Sequence, residues 1–125
     1  MTRLFTALMS LFLLASPAMA EPRAELIMIE PAGCAYCRLW NRQIAPIYPK
    51  TDVGTAAPLR RIDLHDPLPD DIAFVRGFNF PPTFVIVVDG AEYSRIEGYP
   101  GEDFFWGLLE RDLTELGLVE PETSG

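Results

Sequence analysis

The chain has 125 residues, of which 49% are hydrophobic, and a formal net charge of -8 at neutral pH. This length makes a single domain the expectation, and the apolar content excludes a disordered chain. The acidic balance argues against nucleic acid and anionic membrane surfaces as partners.

Residues 1–20 read as a cleavable export signal and are set apart from the fold. Met1-Thr2-Arg3 is a short basic start. Leu4 to Ala15 is an uncharged apolar run, too short to span a bilayer comfortably. Ser16-Pro17-Ala18-Met19-Ala20 places small residues, Ala18 and Ala20, where a signal peptidase reads them. Cleavage after Ala20 would leave residues 21–125 as the mature domain. The absence of a twin-arginine pair predicts export in the unfolded state, and an uncleaved anchor is the alternative.

Ala24 to Glu30 is a short apolar run between acids and predicts a buried strand. Pro31-Ala32-Gly33 breaks it, and Cys34 and Cys37 follow directly. From Ala35 the pattern is helical, with Trp40, Ile44 and Tyr48 four apart, and Pro46 and Pro49 should kink and close this helix. Lys50 to Pro58 reads as a polar loop. Leu59 to Leu64 is a second strand, and a short helix is expected around Asp70 to Arg76, its two leading acids suiting a helix N-terminus. Thr83 to Val88 is a continuous β-branched run and predicts a central strand. Asp89-Gly90 signals a hairpin into an edge strand at Glu92 to Glu97. Gly98 to Gly101 opens a last helix, its stripe formed by Phe105, Leu109 and Leu113. Two strands joined through a helix should be parallel and the hairpin antiparallel. The expected fold is α/β, a mixed four-stranded sheet with helices on both faces.

The cysteine pair carries the chemical signal. A loop closed over three residues removes little chain entropy, so such a disulfide is a poor staple and more plausible as a reactive pair. A helix start offers free N–H groups and a positive dipole end, which favour a thiolate. Cys34, nearer solvent, is the expected nucleophile, and Cys37, one turn in, is expected to resolve the mixed disulfide. Half a zinc site is disfavoured because there is no second cysteine pair and only His65 to help. Haem attachment needs a histidine where Arg38 stands. No cofactor and no metal are expected. His65 reads as a surface histidine and Trp40 as core, while Trp106 reads as boundary packing or a partner surface.

The cysteine pair, Pro82-Thr83-Phe84 and Gly98 together resemble the thioredoxin superfamily over essentially all of 25–118. The resemblance implies a thioredoxin-like fold and a cis peptide between Pro81 and Pro82, with Pro82 opposite the cysteines as part of the catalytic site. It also implies that Ala35 and Tyr36 tune the pair's potential and that Pro81 and Thr83 help dock a partner's extended segment. Pro81 departs from the usual pattern because it has no N–H to offer that segment, which puts broad promiscuity in doubt. The family's usual buried acid, six residues before the first cysteine, is replaced by Met28. Glu30 is a candidate substitute proton carrier, or a solvated strand-end glutamate.

Residues 46–50, 57–61 and 97–109 are similar to the SoxS-type periplasmic thioredoxins of bacterial sulfur-oxidation gene clusters. That resemblance implies a periplasmic reductant that keeps cysteine-bearing partners of that pathway active, and a monomer is expected. Its partners would be cysteine-containing periplasmic proteins, held through transient mixed disulfides, and a membrane thiol electron donor. A disulfide oxidase or isomerase, a reductant for cytochrome c maturation, and a non-enzymatic binding module using Tyr99 and Trp106 are the alternatives.

Overall fold

The computed structural model describes residues 15–18 and 20–121. Most of the expected export signal therefore lies outside the described residues. Strand β1 (Ala24–Glu30) and strand β3 (Thr83–Val88) are apolar runs of the expected mature chain, and they form the centre of the sheet. Strand β2 (Leu59–Asp63) pairs parallel with β1, with Met28 opposite Arg61. Strand β4 (Ala91–Glu97) pairs antiparallel with β3 at the other edge, giving the order β2-β1-β3-β4. The β3–β4 turn uses Asp89 at φ 50° and Gly90 at φ 81°. Two such positive values are what a tight hairpin requires.

Alternation along β1 divides the core between the two faces of the sheet. Leu26 and Met28 face the helices: α1 (Ala35–Gln43), α2 (Asp52–Ala56) and α3 (Glu102–Glu115). The centre of that layer is aromatic. The Trp40 ring lies 5.2 Å from Phe84 and 5.8 Å from Phe105, and all three side chains are fully buried. Ile27 and Ile29 face the other way and pack with Ile62, Ile72, Val85 and Val87.

That second face departs from expectation. No helix forms over Asp70 to Arg76, so the helices lie on one face and an extended segment covers the other. Ile72 and Phe74 turn inward on either side of exposed Ala73, an alternation of period two rather than a helical stripe. Ala73 donates its N–H to the Gly90 carbonyl at 2.8 Å and accepts from the Glu92 N–H at 3.0 Å, so its backbone is satisfied by the sheet edge. Asp71 is drawn to Arg60 across a 2.8 Å ion pair instead of capping a helix.

The expected loop at 50–58 also contains more order than its composition suggests. A 3-10 turn spans Tyr48–Lys50, and Thr51 then caps α2 by accepting the Gly54 N–H at 3.0 Å. Helix α1 ends at Gln43, with Ile44 as its C-cap two residues before Pro46.

Candidate active site

The β1 strand ends in the turn Pro31-Ala32-Gly33, where Gly33 takes φ +75°, a conformation that costs glycine nothing. Cys34 is then the N-cap of α1. Its Sγ accepts a hydrogen bond from the Cys37 N–H at 3.1 Å, and its carbonyl accepts from the Arg38 N–H at 3.1 Å. Cys34 and Cys37 are joined in a disulfide across a Cα separation of 5.2 Å. Cys37 is only 4% exposed, whereas Cys34 is half-buried and reachable from solvent. Once the bond is reduced, the Cys34 sulfur sits at the positive end of a helix and faces an N–H, both of which favour the thiolate. A buried thiol one turn further on can only attack that neighbouring sulfur.

The loop before β3 lies next to this helix start. The Pro81–Pro82 peptide is cis, with Pro82 buried and Pro81 half-buried. The Gly98 N–H donates to both the Phe80 carbonyl (3.1 Å) and the Pro82 carbonyl (2.9 Å), which ties the loop to the connection between β4 and α3. Tyr36 of α1, Phe80 and Pro81 of the loop, and Tyr99 and Pro100 beyond β4 line one open cleft. Tyr36 and Phe80 form its exposed apolar rim at 63% and 59% accessibility. A larger hollow opens around residues 21–25, at the opposite end of β1 from the cysteines.

Ala35 and Tyr36 are exposed between the two cysteines. Thr83 is not available as a docking side chain. It is fully buried, and its hydroxyl donates to the Phe80 carbonyl at 2.9 Å, so it holds the loop's shape from within. Phe80 is a rim residue that sequence reasoning did not single out. Its signal was an aromatic side chain immediately before two prolines.

Beneath the pair, Met28 is fully buried in the helix-side core. Glu30 accepts from Arg61 at 2.9 Å, and the same guanidinium donates to Asn41 Oδ1 at 2.7 Å and lies 5.6 Å from the Trp40 ring centroid. Arg61 is a second group the sequence did not flag, and it links the end of β1 to α1 one turn beyond Cys37. Glu30 is therefore the acid of an ion pair. His65 is exposed, and its backbone N–H bonds to Asp63. Trp106 stacks on Tyr48 at 5.9 Å and lines a different cleft from Tyr99, whose hydroxyl donates to Gln43 at 2.6 Å. Among the described residues, no three His, Cys, Asp or Glu side chains converge as metal ligands would.

Comparison with known proteins agrees with this geometry. The chain is 47% identical to the periplasmic thioredoxin SoxS from Paracoccus pantotrophus, solved in its reduced form. The match covers 78% of this chain and 99% of that one at a TM-score of 0.70. The thioredoxin Mala s 13 of Malassezia sympodialis is similar in fold alone, with 19% identity over 72% of this chain and 75% of that one at a TM-score of 0.54. No family model and no curated protein matches the chain.

Proposed function

The chain belongs to the thioredoxin family and is a thiol–disulfide oxidoreductase, and from that premise we propose that it acts in the periplasm as a dithiol reductant of cysteine-bearing proteins. The observation that carries the reading is the contact between the Cys37 N–H and Cys34 Sγ at the head of α1, with one sulfur reachable and the other enclosed. The Cys34 thiolate attacks one sulfur of a partner disulfide. A mixed disulfide forms, and the partner's other sulfur leaves as a thiolate. The Cys37 thiolate then attacks Cys34 Sγ, the partner's second sulfur departs, and the Cys34–Cys37 disulfide remains. The partner has gained two electrons and, at its thiols, two protons. A membrane thiol donor returns two electrons to the pair.

Tyr36, Phe80 and Pro81 receive the partner's extended segment in this reading. Pro81 has no N–H, so its carbonyl is the only backbone group it offers there. Pro82 forms the buried back of the same loop. Ala35 and Tyr36 influence the potential as the residues enclosed by the pair, and Glu30 acts at a remove, through Arg61. The periplasmic location of the related SoxS and the signal-like pattern of residues 1–20 support export, with 21–125 as the mature domain. In this reading that domain acts as a monomer. Partners belonging to a sulfur-oxidation system are part of this proposal, on the sequence resemblance of residues 46–50, 57–61 and 97–109 to SoxS-type thioredoxins.

Two experiments test the reading. Equilibration against a glutathione or dithiothreitol couple should place the pair near the roughly −270 mV of a reductant, and a value near −120 mV would make the protein an oxidase. A Cys37→Ser variant expressed in the periplasm should retain its partner as a mixed disulfide through Cys34, and mass spectrometry would identify it. Finding no covalent adduct would count against protein partners.

A further inference from the structure

Strand β4 carries a register shift against β3. Ser94 lies opposite Ile86 and Glu92 opposite Val87, which leaves Tyr93 as an extra residue. In a regular strand, residues three apart point to opposite faces. The bulge cancels that rule. Glu92, opposite Val87, and Arg95, opposite Val85, both come to the face of the second core cluster. Tyr93 and Ser94 both turn to α3, where the Tyr93 hydroxyl meets Glu115 at 3.2 Å and the Ser94 hydroxyl meets Asp112 at 2.6 Å.

The Glu92 and Arg95 side chains thus meet in a buried ion pair, with exposures of only 3% and 5%. Arg95 also approaches the Glu97 carboxylate at 3.7 Å, and the other bonds of the pair go to one stretch of coil. Arg95 donates to the Gly77 carbonyl at 2.8 Å and the Arg76 carbonyl at 3.1 Å, and its guanidinium lies 4.9 Å from the Phe78 ring centroid. Glu92 accepts the Val75 N–H at 2.7 Å. Burial pushes the Glu92 carboxyl up, but the Arg95 guanidinium and the Val75 N–H outweigh it, and the group lies below its ordinary value. An ion pair this buried adds little stability over apolar side chains of the same volume. What apolar side chains cannot do is bond the backbone of residues 75–77, which lie in neither helix nor strand. That coil runs directly into Asn79-Phe80-Pro81, the wall of the cleft shared with Tyr36.

We propose that Glu92 and Arg95 are positioning residues for disulfide exchange, which fix residues 75–78 and through them the docking wall of Phe80 and Pro81. The inference rests on the reductase reading. The test measures insulin reduction by the full mature chain in wild type, in the double variant Glu92→Met/Arg95→Met, and in Arg95→Lys. The double variant removes both charges together and so leaves no orphaned buried ion. It should unfold cooperatively near the wild-type midpoint, raise KM for insulin about tenfold, and keep kcat within about twofold of wild type. Arg95→Lys keeps the ion pair but cannot span both carbonyls, and its KM should fall between the other two. If the double variant does not fold, Arg95→Lys alone decides the matter. A KM within about twofold of wild type in the folded double variant, or in Arg95→Lys where the double variant does not fold, overturns the proposal. So does a loss confined to kcat that follows the unfolded fraction. A wild type unable to reduce insulin removes the underlying reading, and this proposal with it, before any variant is compared.

Discussion

The backbone N–H of Cys37 points at Cys34 Sγ from 3.1 Å, so the residue that closes the reaction also supplies a hydrogen-bond donor to the residue that opens it. In the reduced protein that donor faces the thiolate, while the Cys37 side chain stays enclosed. Brief iodoacetamide treatment at neutral pH should therefore alkylate Cys34 faster than free cysteine and leave Cys37 unmodified until the chain is unfolded. Peptide mapping distinguishes the two sites, and equal labelling would contradict the assignment.

Pro81 offers no N–H to a docked segment, so a residue that restores one should tighten docking. Pro81→Ala is expected to lower KM for insulin about two- to tenfold, the worth of one net hydrogen bond. The range of proteins reduced should widen with it. Steady-state kinetics on insulin and on a second, unrelated disulfide protein check both effects. An unchanged KM would mean that side chains, not backbone, hold the partner.

Tyr48 is buried in the helix-side core, and its hydroxyl donates to the Ala57 carbonyl at 2.5 Å. Burial raises its pKa far above the ordinary tyrosine value near 10. Below that value the hydroxyl is protonated in both folded and unfolded chains, and its contribution to stability is complete. Above it the unfolded chain ionises while the folded one resists, so stability falls as pH rises. Urea titrations from pH 8 to 11 should show this loss in wild type and a shallower one in Tyr48→Phe. The variant itself should be less stable by about 1–2 kcal/mol at neutral pH, because the Ala57 carbonyl loses its donor.

Gly54 packs its backbone directly against the Tyr48 carbonyl. A Cβ built there would lie 1.8 Å from the Tyr48 carbonyl oxygen and 2.6 Å from its carbon. Gly54→Ala must push α2 away from the 3-10 turn and should cost about 3 kcal/mol, read as a lowered urea midpoint. Activity per folded molecule should survive, since neither element touches the cleft beside the cysteines.

What was legible in the sequence is what local pattern decides. The apolar run 24–30 reads as a buried strand and 83–88 as a central one, and a cysteine pair between a strand break and a helical stripe reads as the start of that helix. The segment at 70–76 misled because Asp70 and Asp71 imitate a helix start. Its structure is decided by partners far along the chain: Gly90 and Glu92 for Ala73, and Arg60 for Asp71. The Glu92–Arg95 pair was illegible for a related reason. Read as a plain strand, residues 91–97 place those two side chains on opposite faces, and nothing local announces the bulge that reunites them. Arg61 and Glu30 meet only because β1 and β2 run parallel in register.

The most direct test of the account is insulin disulfide reduction by the mature chain with dithiothreitol as electron donor, comparing wild type with Cys34→Ser and Cys37→Ser. Turnover by wild type and a loss of about a thousandfold or more in Cys34→Ser are expected, and Cys37→Ser, reduced and freed of dithiothreitol before it meets insulin, should stall as a mixed disulfide. Wild-type turnover matched by Cys34→Ser would contradict the account.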